Sequence, residues 1–332
     1  MSTNQETLLQ VAQDAIKFWD IECKNLSFYF QSENTVYQVE DSNQNLFALR
    51  IHRPGYHDLD SLKSEHLWTS FLKDNGVHVP EALNTIENEA YAEVKIKDSE
   101  KILHVGLVKW IPGVRLKDKI KKDYSEELIS KSYKQLGEII AQMHNVSVNF
   151  KKPTSFSRHS WDEEGLVGEN PFWGRFWEIE KATSKQRNDL LKIRNNIYQT
   201  LKELPKDNEF SMIHADLHLD NILSFDDSLT VIDFDDSGFG WHACDLAHAL
   251  WDPELLSSPL YKTAYESIVA GYIETREDSD SVIEKIELFL LIRSLMILRW
   301  AEDRKELGYD SMIPGVLELA INEAKRLGIL TK

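Results

Sequence analysis

The chain has 332 residues, of which 42% are hydrophobic, and a formal net charge of −17. Its length and apolar content predict one large or two ordinary domains with a substantial core, and its charge argues against a general nucleic-acid or anionic-membrane surface. Two cysteines are too few for a disulfide framework. The N-terminus lacks a secretory signal and no apolar run reaches membrane-spanning length, so we expect a cytoplasmic protein that binds neither nucleic acid nor membrane.

The first hundred residues predict a small antiparallel sheet flanked by helices. Apolar residues recur at helical spacing from Leu8 to Trp19. Alternating apolar patterns and a second helical pattern follow, predicting three strands and a helix over residues 26–30, 35–40, 45–52 and about 59–74. Two or three further strands lead to the Pro112-Gly113 pair, which continues neither a strand nor a helix. We therefore expect a domain boundary after Ile111.

The rest of the chain is mainly helical. Apolar residues at helical spacing predict helices over residues 126–144, 182–204, 258–272, 282–300 and 312–327. The fourth of these is apolar enough to be central, yet it contains Arg293 and Arg299, which could reach a functional site or an internal acid.

Aromatic and acidic residues crowd the segment from 156 to 177. Trp161, Trp173 and Trp177 lie there among several carboxylates. Aromatic faces and carboxylates suit a site for an ammonium group. The same aromatics could instead pin a loop to the helical part of the chain, and the sequence leaves both interpretations open.

The most informative stretch is residues 211–236, SMIHADLHLDNILSFDDSLTVIDFDD. Three apolar runs predict strands over residues 211–213, 222–225 and 229–232. A polar loop separates the first two, and the pair Asp226-Asp227 turns the chain between the last two. This arrangement predicts that Asp216, Asn221 and Asp233 lie near one another.

Those three residue types suit phosphoryl transfer from a nucleotide. The reaction needs a carboxylate that orients or deprotonates the attacking hydroxyl, and hard oxygen ligands for magnesium. Asp216 fits the first role, and Asn221 and Asp233 fit the second. Asp and Asn are also common in turns, but the ordered set favours the kinase interpretation.

The pattern His-x-Asp-x-x-x-x-Asn, followed by a hydrophobic strand ending in Asp-Phe-Asp, resembles the Brenner motif of the aminoglycoside phosphotransferase and choline kinase group. Homoserine kinase type II and the bacterial stress-response kinases are similar. The resemblance implies an α+β, two-lobed protein-kinase-like fold. Its small antiparallel β lobe with the hinge would span residues 1–111 and bind the nucleotide, and its helical catalytic and acceptor-binding lobe would span residues 112–332.

The resemblance also implies ATP and Mg²⁺ as cofactors, with Asp216 as catalytic base and Asn221 and Asp233 as metal ligands. His214 and Asp235 are secondary candidates. Asp245, in an Asp-Leu-Ala tripeptide, matches the acid that opens a helix and braces the catalytic loop.

In the first lobe the resemblance implies a set of nucleotide-binding residues. Ser32 and Asn34 belong to a glycine-free loop that would cover the phosphates. Arg50 stands where kinases carry a phosphate-binding lysine, and Glu65 matches the helix acid that pairs with it. The hinge that would meet the adenine consists of Lys109, Trp110 and Ile111.

The predicted function is an ATP- and Mg-dependent phosphotransferase that moves the γ-phosphate to a hydroxyl of a small, amine-bearing metabolite or aminoglycoside-like acceptor, in a monomer or dimer. Trp161, Trp173 and Trp177 are the candidate acceptor residues. Three alternatives stay open: a Ser/Thr protein kinase of the stress-response type, a nucleotide-binding pseudokinase, and a metal-dependent hydrolase. The hydrolase requires an extended segment whose alternate side chains share one face, namely His214, Asp216, His218 and Asp220.

Overall fold

The computed structural model describes residues 5–32 and 34–331. Two compact units make up the chain. The first contains the chain up to Gly113 together with Lys151–Ser157 and Thr230–Asp235, and the second contains the remainder. Asp233 thus belongs to the first unit although it lies far beyond residue 111, whereas Asp216 and Asn221 belong to the second. The boundary after Ile111 stays a prediction.

The first unit is built on a five-stranded antiparallel sheet of order β1-β2-β3-β5-β4. Its strands are β1 Cys23–Gln31, β2 Thr35–Asp41, β3 Leu46–Ile51, β4 Ala92–Lys95 and β5 Ile102–Lys109. Side chains along β2 alternate between buried and half-buried, because successive residues of a strand point to opposite faces. The three predicted strands from residue 26 to 52 are confirmed.

Two helices flank this sheet. Helix α1, Gln5–Ala15, continues as one 3₁₀ turn, Ile16–Phe18. Its buried face, including Val11 and Ala12, packs with Leu49 and Val105 of the sheet in one apolar core. The helical spacing read from Leu8 onward is therefore the spacing of a buried face.

Helix α2, Leu59–Asp74, has the bounds predicted from the sequence. The Asp58 side chain accepts a hydrogen bond from the Ser61 N–H at the N-terminus. Gly76 follows the helix with φ +85°, a conformation that glycine adopts without a Cβ clash. On the buried face, the Trp68 ring meets Phe234 edge-on with ring centroids 5.6 Å apart, so α2 supports the chain around Asp233.

The second unit is mainly helical. Its helices are α3 Leu116–Lys122, α4 Glu126–Ser147, α5 Glu163–Val167, α6 Ser184–Glu203, α7 Ala243–Leu250, α8 Pro253–Leu256, α9 Tyr261–Thr275, α10 Asp280–Glu284, α11 Ile286–Glu302 and α12 Ile313–Arg326. The single helix predicted over residues 282–300 is wrong in one respect, because the chain breaks at Lys285 into α10 and α11. All residues of α7 are buried, and so are most residues of α11, the helix whose apolar sequence predicts a central position.

Short strands accompany the helices. They are β6 Val114–Arg115, β7 Ser160–Trp161, β8 Phe210–Ile213, β9 Ile222–Phe225, β10 Ser228–Val231 and β11 Gly238–Trp241. β11 pairs parallel with β7 and antiparallel with β8. β9 and β10 form the predicted hairpin around the Asp226-Asp227 turn, and β6 adds to the other edge of β9. The sequence predicts β8, β9 and β10 but not β6, β7 or β11.

Helices α4 and α9 cross at two glycines. A Cβ on Gly137 would lie 2.1 Å from the Ile268 carbonyl oxygen, and one on Gly271 would lie 1.9 Å from that of Lys134. Real Cβ atoms do not approach so closely, so the crossing requires glycine at both positions. This close contact fixes α4, whose His144 lies 3.2 Å from the carboxylate of Asp245 in the first turn of α7.

Among the described residues, no helix combines the length and the apolar character needed to cross a membrane.

Candidate active site

The loop from His214 to Asn221 follows β8 and carries most of the predicted catalytic residues. Ala215 has φ +64°, a left-handed conformation, and Leu219–Asn221 form one 3₁₀ turn. The loop is therefore not extended, and the alternating face that the hydrolase alternative requires is absent. Across residues 5–32 and 34–331, no group of three or more His, Cys, Asp or Glu side chains is placed to hold a metal ion.

Asp245, in the first turn of α7, braces this loop. Its Oδ2 accepts a hydrogen bond from the backbone N–H of His214 at 3.0 Å, and its Oδ1 accepts one from that of Ala215 at 2.7 Å. A carboxylate that accepts from two successive N–H groups holds the backbone at Ala215 in its left-handed conformation.

The other surroundings of Asp245 are buried and polar. His144 Nε2 lies 3.2 Å from Oδ2 of Asp245, and His144 Nδ1 lies 2.9 Å from the Tyr272 hydroxyl. The His144 ring stacks on His242 with centroids 4.0 Å apart, and burial lowers the pKa of both imidazoles well below the usual value. Burial raises the pKa of Asp245 to about 6, against the opposing effect of its hydrogen bonds to residues 214 and 215.

Asp216, one residue beyond the braced pair, is held by three side chains. Arg293 Nη2, from α11, donates to its Oδ1 at 2.7 Å. Asn221 Nδ2 donates to its backbone oxygen at 2.9 Å and lies 3.4 Å from its Oδ2, and His218 Nε2 lies 3.4 Å from that same oxygen. The structure therefore brings Asp216, Asn221 and His218 together, and adds Arg293.

The charge state of Asp216 follows from these neighbours. Burial alone would raise the pKa of this carboxyl, but His218 and Arg293 outweigh burial and the net shift is downward. The side chain is 18% exposed, whereas that of Arg293 is only 3% exposed. Asp216 is consequently ionised at neutral pH and acts as a hydrogen-bond acceptor.

In the first unit, Asp233, Asp235 and Glu65 converge on Arg50. Arg50 Nη2 donates to Oδ1 of Asp233 at 2.8 Å and to Oδ1 of Asp235 at 2.9 Å, and Arg50 Nη1 lies 3.8 Å from Oε1 of Glu65. Burial alone would lower the pKa of Arg50, but the three carboxylates outweigh it and the pKa is raised. The expected pairing of Arg50 with Glu65 is present, though the two aspartates lie closer.

Asp235 also fixes the loop that contains Asn34. Asn34 Nδ2 donates to Oδ2 of Asp235, and Asn34 Oδ1 accepts from the Arg53 backbone N–H at 3.1 Å. His57 Nε2 donates to the Asp235 carbonyl at 2.7 Å. Burial would raise the pKa of Asp235, but Arg50 outweighs burial and the pKa falls to about 2. Asp235 therefore accepts hydrogen bonds from both Asn34 and Arg50.

The other predicted nucleotide-binding residues lie at the ends of strands. Ser32 is exposed and its backbone N–H donates to the Asn34 carbonyl at 3.1 Å. Lys109 ends β5 and its Nζ pairs with Glu81 at 2.9 Å. The Trp110 N–H donates to the Leu46 carbonyl at 3.0 Å, and its ring meets Tyr29 edge-on. Ile111 follows directly.

The three tryptophans proposed for the acceptor differ in their surroundings. Trp161 is fully buried and its indole N–H donates to the Asp236 carbonyl at 2.8 Å. Trp177 is buried and the Arg194 guanidinium lies over its ring at 5.3 Å from the centroid. Trp173 is half-buried and carries the Arg293 guanidinium at 4.7 Å.

A family model described as "Phosphotransferase enzyme family", abbreviated APH, matches residues 30–278, more than half of the chain. The chain belongs to this family. The predicted resemblance and the predicted enzyme class, a kinase with an alcohol group as acceptor, are confirmed.

Similarity to known kinases extends over most of the chain. Amicoumacin kinase of Bacillus subtilis (strain 168) is 23% identical over 299 residues, covering 87% of this chain and 83% of its own. The structure of a microcompartment-associated aminopropanol kinase has a TM-score of 0.81 at 28% identity and covers 97% of this chain and 99% of its own. Amicoumacin kinase hAmiN, in complex with AMP-PNP, Ca²⁺ and Ami, has a TM-score of 0.78 at 18% identity, covering 97% and 94%. The predicted protein-kinase-like fold is thereby confirmed.

The sequence predicts that Arg293 could reach a functional site or an internal acid, and the acid that it reaches is Asp216. Which acid it meets is not predicted, because the only signal is an arginine inside a strongly apolar helix. The bond from Asn34 to Asp235 is not predicted at all, because the motif suggests Asn34 only as a phosphate ligand.

Replacing Asp245 by Asn tests the raised pKa of this buried carboxyl. A folded-state pKa raised from 3.8 to about 6 means that the folded protein takes up a proton between those values, so the contribution of Asp245 is complete below pH 3.8 and is lost as the pH rises through 6. We expect the difference in free energy of unfolding between wild type and Asp245→Asn to grow in favour of wild type by about 2 kcal/mol from pH 7 to pH 4. Urea denaturation across that range measures it, with Asp226→Asn in the exposed hairpin turn as control. If the difference in free energy of unfolding between the two proteins did not change with pH, the raised pKa of Asp245 would be contradicted.

Replacing Asp235 by Asn tests the cluster around Arg50. The change removes one charge from a buried guanidinium and weakens the bond to Asn34, so we expect the free energy of unfolding to fall by about 3 kcal/mol. Chemical denaturation is the measurement, and Asp98→Asn, exposed in the same unit, is the matched control, with no expected effect beyond about 0.5 kcal/mol. Equal stability of the two variants would show that Asp235 does not hold Arg50.

Proposed function

We propose that this protein is an ATP- and magnesium-dependent kinase that transfers the γ-phosphate to a hydroxyl of a small, amine-bearing acceptor. The observation that carries the proposal is the Asp216 carboxylate, ionised, fixed in orientation and adjacent to Asn221, in a chain that belongs to a phosphotransferase family. Asp216 would orient the acceptor hydroxyl and take its proton.

The donor set suits magnesium. The Asn221 amide nitrogen is engaged with Asp216, which leaves the amide oxygen as the atom for a cation. The Asp233 carboxylate, which is 43% exposed, would supply a second hard oxygen ligand of the kind that Mg²⁺ prefers. When bound with the nucleotide, magnesium neutralises charge on the phosphates.

The nucleotide would be held by residues of the first unit. Arg50 supplies a fixed positive charge for phosphate, which Glu65 and Asp235 hold in place. Ser32 and Asn34 would contribute donors from their loop, and residues 109–111 would meet the base. A family relative whose structure contains AMP-PNP supports the choice of an adenine nucleotide.

Amino alcohols are the first acceptors to test. The aminopropanol kinase is 28% identical to this chain over nearly its whole length, and an amino alcohol offers a hydroxyl to Asp216 and a cation to an acidic protein. Of the three candidate tryptophans, Trp173 is the one that is half-buried, whereas Trp161 and Trp177 are buried. We propose Trp173 as the aromatic residue nearest the acceptor.

Replacing Asp216 by Asn should abolish most turnover. The amide keeps the size of the side chain but cannot accept a proton, so kcat should fall by about a hundredfold or more. Release of ADP measures the loss, with magnesium, ATP and a panel that pairs each amino alcohol with a diol of the same carbon skeleton. The matched control is Asp226→Asn, which should behave as wild type.

The same assay separates the alternatives. Magnesium-dependent ADP release that prefers amino alcohols supports the proposal. Binding of ATP without turnover on any acceptor would identify a pseudokinase, and phosphorylation of protein serine or threonine alone would identify a protein kinase. Turnover near wild type in a folded Asp216→Asn protein would remove Asp216 from the catalytic role.

A further inference from the structure

We infer that Arg293 is a positioning residue, which fixes the orientation of the Asp216 carboxylate from helix α11 and is itself held against the indole face of Trp173. The inference rests on the proposed function, because it takes Asp216 as the group that meets the acceptor hydroxyl.

The short contact to the Asp216 carboxylate comes from Arg293. Within the catalytic loop, His218 Nε2 and Asn221 Nδ2 both lie 3.4 Å from Oδ2 of Asp216, which is the long end of hydrogen-bonding distance. Arg293 Nη2 lies 2.7 Å from Oδ1, the distance of a charge-assisted hydrogen bond. Since two torsions orient an aspartate carboxylate, one strong bond at Oδ1 directs Oδ2 toward its own partners.

Among the described residues, Arg293 has no other hydrogen-bond partner of comparable strength. Its Nε and Nη1 are buried and, in the part of the chain that the structure describes, have no hydrogen-bond partner. A buried guanidinium with unsatisfied N–H groups costs stability relative to an apolar residue of similar size. The bond to Asp216 is therefore the contact that accounts for an arginine at this buried position.

Trp173 supplies the second restraint. The Arg293 Cζ lies 4.7 Å from the centroid of the indole ring, within range of a cation–π contact. A planar guanidinium stacked on a ring cannot swing without losing that contact, whereas a lysine ammonium would turn freely. Trp173 thus restricts the motion of Arg293, which in turn orients the Asp216 carboxylate.

Arg293 takes no part in the bond changes themselves. In the proposed step the acceptor oxygen forms a bond to the γ-phosphorus, the bond from that phosphorus to the ADP oxygen breaks, and the hydroxyl proton passes to Asp216. Arginine stays protonated throughout. Its removal should consequently lower kcat while nucleotide binding is retained.

The test compares three variants of helix α11, namely Arg293→Lys, Arg293→Ala and the control Arg299→Lys. The Arg299 side chain is more exposed than that of Arg293 and pairs with Glu302 and Asp303. For Arg293→Lys we expect kcat to fall at least tenfold with the KM for ATP within about twofold of wild type. For Arg293→Ala we expect a larger loss, which millimolar guanidinium or methylguanidinium partly restores and methylammonium does not. Arg299→Lys should keep wild-type kcat.

Each outcome decides the inference. Rescue of Arg293→Ala by guanidinium, with an unchanged KM for ATP, supports it and excludes misfolding, since a misfolded protein would not regain kcat. A kcat within twofold of wild type in Arg293→Lys and Arg293→Ala, or a loss that appears only in the KM for ATP, overturns it. If Asp216→Asn is inactive while both Arg293 variants turn over normally, only the inference fails. If Asp216→Asn is active, the proposed function fails first.

Discussion

The loop from His214 to Asn221, which carries the candidate catalytic Asp216, depends on the carboxylate of Asp245 and on the hydrogen bonds that it accepts from two backbone N–H groups. A left-handed conformation at a residue with a Cβ, as at Ala215, costs about 1–2 kcal/mol. Hydrogen bonds from N–H groups to a charged acceptor contribute about 1.5–3 kcal/mol each, so the two bonds to Asp245 offset that cost. The turn at Ala215 then sets the direction in which Asp216 leaves the strand. The position of Asn221 depends on the same turn, because its side chain donates a hydrogen bond to the Asp216 carbonyl.

A comparable arrangement in the first unit explains why an arginine occupies the third strand. Its guanidinium meets Asp233 and Asp235 through one nitrogen and approaches Glu65 through another. A lysine ammonium is a single point of charge and could not hold two aspartates on one side and a glutamate on the other with fixed geometry. Arg50 is thus more than a lysine substitute, because its fork organises the acidic cluster. Asp235 extends that cluster to Asn34, so a loop residue, a strand residue and the residues after β10 form one hydrogen-bonded set.

Local patterns in the sequence predict local structure well. Helix α2 and strand β9 have the predicted bounds, because caps, turns and periodicity lie within the segments themselves. The pairing of Asn34 with Asp235 spans 201 residues and that of Arg293 with Asp216 spans 77. No local pattern encodes which distant side chain completes a hydrogen bond. Strands β7 and β11 are not predicted for a related reason. β7 has only two residues, and β11 has the sequence GFGW, whose glycines interrupt any apolar run, so both strands are defined by their pairing with each other and with β8.

Arginine side chains lie over aromatic rings in and next to the segment from 156 to 177. Arg194 lies over the rings of Trp177 and Tyr198, and Arg293 lies over Trp173. Each guanidinium occupies a ring face that an acceptor ammonium would otherwise use, and like charges at such a distance repel. An amine-bearing acceptor would therefore approach the opposite face of Trp173 or a carboxylate rather than an aromatic cage. The net charge of −17 would draw such a cation toward the protein, while the fixed guanidinium of Arg293 would favour the orientation that puts the hydroxyl, and not the ammonium, beside Asp216.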